Sequence, residues 1–200
     1  YPNPVMIANK ITQNRITQLI SNLERIGWNN FCVTNYNWVF FRDLPERFDK
    51  VLIDAPCSGE WIGFKAIETI KHWNIKKLKQ LSSLQEKLLE AALTSVKVWW
   101  EVLYSTCTLN KLENEWVLEY IQNKYPDSFN ITYSKRFWPH IEKSGWFFIA
   151  KIEKLKSIET NFKKREAKNN KEIKKLKKEI NDLKIENEIL KKAMAIFTQK

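Results

Sequence analysis

Short runs of apolar residues alternate, over the first three quarters of the chain, with longer stretches whose apolar positions recur at helical spacing. The short runs predict strands at Val5–Ala8, Phe31–Thr34, Lys50–Asp54, Val102–Tyr104 and Phe147–Ile152. The longer stretches predict helices at Arg15–Ile26, Ile75–Val98 and Glu113–Ile121. Strands that alternate with helices of this length are typical of an α/β fold built on a parallel sheet, so this is the predicted fold class.

Polar residues follow two of the predicted strands at the point where each strand ends. Asp54 and Cys57 close one strand in the string DAPCSGE, and Cys107 closes another in the string YSTCTLN. In parallel α/β sheets, ligands and chemistry are found at the carboxyl ends of the strands. A single cysteine there would be interpreted as a small buried apolar residue. Two cysteines beside polar residues, each just past an apolar strand, instead indicate a reactive site.

The last quarter of the chain follows a different pattern. From Ile173 to Phe197 the apolar positions recur at alternating steps of three and four residues, with Asn187 as one polar member. This heptad pattern predicts a coiled coil over residues 172–200, and a buried Asn favours a two-stranded register. A solvated single helix is the alternative. Residues 154–171 are predicted to be a basic linker.

Charge and composition exclude several classes of protein. The net charge of +11 is concentrated in residues 154–200, which carry 15 Lys/Arg and 7 Asp/Glu. No apolar run approaches the roughly 18 residues that span a membrane, and no secretory signal is visible, so we expect no membrane partner. Three scattered cysteines without a CxxC pair fit neither a disulfide framework nor a metal site. They favour a reducing, cytoplasmic location.

At its two cysteine strings the sequence resembles the RNA cytosine-C5 methyltransferases of the RsmF/Nop/Sun type. The resemblance covers roughly residues 1–153 and rests on DAPCSGE, on YSTCTLN followed by ENE, and on RFWPH followed by FFIAKI. It implies a methyltransferase catalytic domain over residues 1–153 with the Rossmann-like sheet of S-adenosylmethionine-dependent methyltransferases. It also implies S-adenosyl-L-methionine as the cofactor and RNA as the partner, with ribosomal RNA favoured over transfer RNA.

The resemblance implies roles for individual residues. Cys107, in the TCT string, is the expected nucleophile that adds to C6 of cytosine, and Cys57, in the PCS string, is expected to assist release. Asp54 is expected to hydrogen-bond the cytosine ring. Thiolate addition makes C5 nucleophilic, which is covalent catalysis that divides one difficult step into two. Lys65 is the expected RNA-binding residue, with a solvated surface lysine as the alternative.

Cofactor binding is expected, by the same resemblance, at Asp54, Pro56, Asn37 and Lys10. Asn37 and Lys10 stand where the family has acidic residues. An amide can still accept a hydrogen bond, whereas a lysine ammonium can only donate. The family's glycine-rich cofactor loop, which precedes the matched region, is missing from the sequence that starts at Tyr1. We therefore expect an N-terminally truncated chain that lacks the first strand of its sheet.

Glycine and tryptophan usage is unusual. Ordinary usage predicts roughly 14 glycines in a chain of this length, whereas this chain has 4 Gly and 9 Trp. Five tryptophans stand where the family has glycine, namely Trp38, Trp61, Trp99, Trp100 and Trp146. Turns that need positive φ reject large side chains. We therefore hypothesise that UGA codons read as Gly in the source organism have been translated as Trp.

Two further interpretations remain open. The tail string IKKLKKEINDLKIENEILKKAMAIFTQK resembles the zipper of insertion-sequence helix-turn-helix transposase proteins. It favours a dimerising interaction protein of a mobile element, with a homodimer through residues 172–200. An inactive methyltransferase remnant is the other interpretation.

Overall fold

The computed structural model describes residues 4–59, 74–142 and 145–158. Its strands are β1 (Met6–Asn9), β2 (Phe31–Thr34), β3 (Phe48–Asp54), β4 (Val96–Thr106), β5 (Phe129–Phe137) and β6 (Phe147–Lys154). Its helices are α1 (Ile16–Arg25), α2 (Trp38–Arg42), α3 (Ile75–Ser95), α4 (Glu115–Lys124) and α5 (Pro139–Glu142), and a 3₁₀ turn at Gln13–Arg15 precedes α1. The predicted coiled coil lies outside the described residues, and so does the predicted linker from residue 159 onwards.

The strands form a two-stranded sheet and a four-stranded sheet. β1 and β2 are parallel, and so are β3 and β4, while the larger sheet has the order β3-β4-β6-β5. β6 is antiparallel to both β4 and β5, so the prediction of a parallel sheet is wrong for β6, whereas β5 runs in the same direction as β3 and β4. The cause is the short connection between Phe137 and Phe147, because a parallel return needs a crossover of a dozen or more residues.

The hydrophobic core lies between the four-stranded sheet and the helices α3 and α4. α3 begins at Asn74, whose Oδ1 accepts a hydrogen bond from the backbone N–H of Lys77 at 2.8 Å. Its inner face contributes Leu89 and Leu93, which pack with Val102 of β4 in one fully buried cluster. Burial of each such side chain contributes about 1.5–3 kcal/mol. The cluster therefore anchors α3 on the strand that leads to the second cysteine.

Helix α3 ends at Ser95 rather than at the predicted Val98. The next residue, Val96, is extended and fully buried as the first residue of β4. β-branched side chains lose rotamer freedom in helices and pack well in strands. The last apolar residues of the helical pattern thus belong to the sheet, and β4 is longer than predicted.

The hydrophobic pattern does not predict β5 or α2, because most residues of β5 are exposed and α2 has only five residues. The α/β class itself is confirmed, since helices and strands alternate around a sheet whose first two strands are parallel. No helix in the described ranges is long and apolar enough to cross a membrane.

No hydrogen-bonded strand pair in the described part of the chain joins the two sheets. Over the described residues, β1 pairs with β2 alone and β3 pairs with β4 alone. Apolar side chains are exposed on these strands, with Ile7 at 46% and Leu52 at 66%.

Trp99 occupies a backbone conformation that favours glycine. Its φ is 68° and its side chain is 69% exposed. The β3–β4 register shifts at this point, since Phe48 lies opposite Val96 whereas Lys50 lies opposite Glu101. A bulky residue held at positive φ costs on the order of 1–3 kcal/mol. The backbone therefore supports the hypothesis of a natural glycine at position 99.

Three other tryptophans of that hypothesis do not share this feature. Trp38, Trp100 and Trp146 are not at positive φ, and Trp61 lies outside the described residues. Trp100 packs against the core. The hypothesis therefore stays a prediction at these four positions.

Candidate active site

The carboxyl ends of β3 and β4 lie side by side. Asp54 lies opposite Ser105 in the parallel register, and the backbone N–H of Ala55 donates to the Ser105 carbonyl oxygen at 2.9 Å. The Ser105 hydroxyl donates to the carbonyl oxygen of Ile53 at 3.0 Å. These hydrogen bonds hold together the two loops that follow the strands.

Cys57 and Cys107 are in contact between these loops. Cys57 lies in the first cysteine loop (residues 55–59) and Cys107 in the second cysteine loop (residues 107–114). Their Sγ atoms are 2.9 Å apart, and both thiols are free and half-buried. Cys32 is free and exposed on β2. The structure thus brings together the two cysteines predicted to be catalytic.

The contact shifts the pKa values of the two thiols in opposite directions. The hydrogen bond from the Cys57 thiol is the main cause that lowers the pKa of Cys107 to about 7, against the opposing effects of burial and the Asp54 charge. The same hydrogen bond, together with burial, raises the pKa of Cys57 far above its ordinary value. Because the thiolate is the nucleophilic form of cysteine, Cys107 is the sulfur prepared for attack near neutral pH.

A buried carboxylate, Glu113, links the two loops to each other and to α3. Its Oε2 accepts from the backbone N–H of Ser58 at 2.8 Å and from Nε2 of Gln85 at 2.8 Å. Its Oε1 accepts from Nδ2 of Asn110 at 2.6 Å. Glu113 and Gln85 are fully buried. One side chain therefore fixes both loops against the helix.

Asn114 braces the second cysteine loop on either side of Cys107. Its Oδ1 accepts from the Thr106 hydroxyl at 2.6 Å, and its Nδ2 donates to the Thr108 carbonyl oxygen at 3.0 Å. Asn114 and both threonines are buried. The backbone around the thiolate is therefore held in one conformation.

Glu113, Asn114 and Gln85 are functional candidates to which the sequence analysis assigns no role. Glu113 and Asn114 stand in the ENE string that carries the resemblance, so a signal for them was present. Gln85 lies among the polar positions of α3 and carries no such signal. Only the tertiary structure turns its amide towards the loops.

Asp54 and Pro56 lie at the exposed side of the first cysteine loop. The Asp54 charge is close enough to the second loop to raise the pKa of Cys107. The Pro56 carbonyl oxygen accepts from Nε2 of Gln85 at 2.8 Å. An exposed carboxylate therefore stands beside the thiol pair, where a bound base or cofactor could reach it.

Lys10 and Asn37 lie at the carboxyl ends of the smaller sheet. Lys10 follows β1, and its backbone N–H donates to the Thr34 carbonyl oxygen at 3.0 Å. Asn37 precedes α2, and its carbonyl oxygen accepts from the Phe40 N–H at 2.9 Å. Lys65, the expected RNA-binding residue, lies outside the described residues.

The chemistry of these groups fits the cofactor that the resemblance implies. S-adenosylmethionine carries amino groups that need acceptors and a carboxylate that needs donors. Asp54 and Asn37 offer acceptors and Lys10 offers a donor, each next to a carboxyl strand end. The one mismatch is that Lys10 cannot accept hydrogen bonds from ribose hydroxyls.

The structure is therefore an α/β domain in which two free thiols are in contact at the ends of adjacent parallel strands. The family model of the 16S rRNA methyltransferase RsmB/F matches residues 2–153. The chain belongs to this family.

Curated relatives support this membership. Ribosomal RNA small subunit methyltransferase F of Shewanella baltica (strain OS223) is 35% identical over 171 residues, which cover 77% of this chain and 35% of the relative. The protein of the same name from Vibrio cholerae serotype O1 (strain M66-2) is 34% identical over 173 residues, which cover 78% and 37%. The chain thus spans about a third of the length of the curated relatives it matches.

Solved structures support the fold. NSun6 from Pyrococcus horikoshii, determined with SFG, aligns with a TM-score of 0.67 at 26% identity and covers 76% of this chain and 42% of that protein. A methyltransferase homolog protein from Pyrococcus horikoshii aligns with a TM-score of 0.63 at 29% identity, covering 76% and 53%. These alignments confirm the predicted Rossmann-like methyltransferase sheet.

Proposed function

We propose that this chain carries the catalytic domain of an S-adenosylmethionine-dependent RNA (cytosine-C5) methyltransferase that acts on ribosomal RNA through a covalent cysteine–cytosine intermediate. The observation that carries the proposal is the thiol pair. Cys57 and Cys107 are 2.9 Å apart, and the hydrogen bond between them lowers the pKa of Cys107 to about 7. A thiolate next to a protonated thiol meets the needs of attack at C6 of cytosine and of release through the neighbouring C5.

The first step is attack by Cys107. Its thiolate forms a bond to C6 of cytosine, and the electron pair of the ring moves towards N3, which takes up a proton. Asp54, exposed beside the thiol pair, hydrogen-bonds the ring and favours that protonation. C5 is now the nucleophilic end of an enamine, which is the gain from covalent catalysis.

The cofactor supplies the electrophile, a methyl group on a sulfonium, when it is bound. Asp54, Pro56, Asn37 and Lys10 are the residues that would hold it. NSun6 from Pyrococcus horikoshii, which this chain resembles, was solved with SFG, an analogue of S-adenosylmethionine.

The last step is release, which needs Cys57. A base removes the C5 proton, the C5–C6 double bond re-forms, and the C6–S electron pair returns to Cys107 as thiolate. Within the adduct Cys107 is an uncharged thioether, so its thiolate no longer raises the pKa of Cys57. Cys57 is then able to take part in proton removal beside the breaking bond.

The test is a trap with RNA that contains 5-fluorocytosine. The fluorine cannot leave as a proton does, so the expected result is a stable protein–RNA adduct that resists denaturing electrophoresis. Cys107→Ala should abolish the adduct, whereas Cys57→Ala should accumulate a covalent complex even with ordinary RNA. Cys32→Ala, at an exposed thiol of β2, is the matched control and should behave as the parent chain. An adduct that survives Cys107→Ala would overturn the proposal.

Ribosomal RNA as substrate places the reaction in the cytoplasm, which is part of the same proposal. Transfer RNA in place of ribosomal RNA is the control substrate, and we expect it to form less adduct. The homodimer through residues 172–200 stays a prediction from the heptad pattern, because those residues lie outside the described part of the chain.

A further inference from the structure

Glu113 is an unusual residue for the interior of this domain. It is a carboxylate with no exposed surface, and its two oxygens accept three hydrogen bonds from Ser58, Gln85 and Asn110 at 2.6–2.8 Å. Taking a carboxylate out of water costs several kcal/mol unless charge-assisted hydrogen bonds replace the water. An apolar side chain would fill the same space without that cost.

The donors around Glu113 come from three separate segments. Ser58 directly follows Cys57 in the first cysteine loop, whereas Asn110 lies in the second. A second link between the loops is the hydroxyl pair of Ser58 and Thr108 at 3.0 Å. The bonds therefore converge on the residue next to Cys57, which is where a small movement would change the distance between the two sulfur atoms.

We propose that Glu113 is a positioning residue that holds the first cysteine loop against the second, and so sets the Cys57–Cys107 contact on which product release depends. The predicted effect of Glu113 on product release rests on the proposed function. The predicted effect of Glu113 on the contact between the two thiols depends on neither RNA nor cofactor.

Two substitutions test the role. Glu113→Gln keeps the shape but must turn an N–H₂ group towards one of the donors that the carboxylate now accepts. Glu113→Asp keeps the charge but is one methylene too short to reach both loops, and it serves if the first variant folds poorly. Glu90→Gln is the matched control, because Glu90 is a largely buried carboxylate that is held elsewhere, by Lys124 and Tyr125.

The first readout is the pH profile of Cys107 alkylation by iodoacetamide, followed by peptide mass spectrometry on the chain without ligands. Loss of the Cys57 hydrogen bond should move the midpoint upward from about 7. A rise of one unit slows alkylation at pH 7 by about fivefold. The charge of Glu113 by itself raises the pKa of Cys107, so a charge effect alone would speed alkylation in Glu113→Gln. An unchanged or faster rate would overturn the positioning role.

The second readout uses ordinary RNA and S-adenosylmethionine. Glu113→Gln should accumulate the covalent complex as Cys57→Ala does, with kcat reduced and KM for RNA retained. A merely structural role would reduce folded protein and adduct together. If the parent chain forms no adduct while Glu113→Gln still slows alkylation, the proposed function fails and the positioning of the thiols stands. If the parent forms adduct and Glu113→Gln releases it at the parental rate, the positioning role fails.

Discussion

The Sγ atoms of Cys57 and Cys107 lie 2.9 Å apart although fifty positions separate the two residues along the chain. Parallel pairing of β3 with β4 brings them together, because Asp54 lies opposite Ser105 at the ends of the two strands. The contact lowers the pKa of Cys107 to about 7 and raises the pKa of Cys57. The register in which β3 pairs with β4 therefore determines that the two sulfur atoms are in contact.

The hydrogen bond from Cys57 should set the titration of Cys107. The pKa of Cys107 is lowered to about 7, so its alkylation should accelerate as the pH rises through 7 and level off about one unit above. Cys57→Ala removes the donor and should move the midpoint upward. A Cys107 midpoint that does not respond to this substitution would show that another group lowers the pKa.

Asp54 should shift the pKa of Cys107 in the direction opposite to the hydrogen bond from Cys57. Its charge raises the pKa of Cys107, so Asp54→Asn should move the alkylation midpoint to lower pH. Asp49→Asn, at an exposed carboxylate of β3 paired with Lys97, is the control and should leave the midpoint in place. An upward shift in Asp54→Asn would contradict the placement of this carboxylate beside the thiolate.

The backbone of Trp99 predicts a stabilising substitution. Glycine at this position should relieve positive-φ strain, and Trp99→Gly should raise the free energy of unfolding by about 1 kcal/mol or more. Urea denaturation measures the difference. Trp100→Gly, one residue further on, removes packing against the core and should lower stability instead. Equal losses in both variants would contradict the strain at position 99.

The codons test the wider hypothesis about tryptophan. It requires UGA at the glycine-like positions Trp61, Trp99, Trp100 and Trp146, and UGG at Trp73 and Trp138, where the sequence resemblance implies tryptophan in the family as well. UGG at all six positions would end the hypothesis, and the strain at Trp99 would then be a feature of the natural protein.

Replacing Asn114 should lower the free energy of unfolding. Asn114→Ala breaks two buried hydrogen bonds, to Thr106 and Thr108, and should destabilise the domain by about 2 kcal/mol. Asn130→Ala, at an exposed position of β5, should stay within about 0.5 kcal/mol of the parent. If urea denaturation shows that Asn114→Ala lowers the free energy of unfolding by less than about 0.5 kcal/mol, the second cysteine loop does not depend on this amide.

Much of the fold could be predicted because its local patterns are strong. The run KVLID predicts the strand that ends at Asp54, and the periodicity after Ile75 predicts α3. The antiparallel direction of β6 could not be predicted from hydrophobicity, since the largely exposed β5 that precedes it has almost no alternating pattern and gives no sign of a strand. The helical pattern predicts an end at Val98 instead of Ser95, because Val96 fits the helical period although it is the first residue of β4.

The candidate site divides in the same way. The sequence predicts the two cysteines and Asp54 as site residues because they stand in distinctive strings after strands. Gln85 could not be found, because its role exists only once α3 packs beneath both loops and its amide reaches Glu113 and Pro56. The local sequence thus predicts the reactive cysteines, whereas the residue that supports their loops from α3 is known only from the tertiary packing.

The most direct test of the proposed covalent mechanism is to identify the cysteine that bonds to the base. The complex trapped with 5-fluorocytosine RNA is digested with nuclease and protease, and the peptide that carries the modified nucleotide is sequenced by mass spectrometry. Attack by Cys107 predicts the nucleotide mass on Cys107, with Cys57 unmodified. A nucleotide on Cys57, or a complex in which neither cysteine is modified, would contradict it.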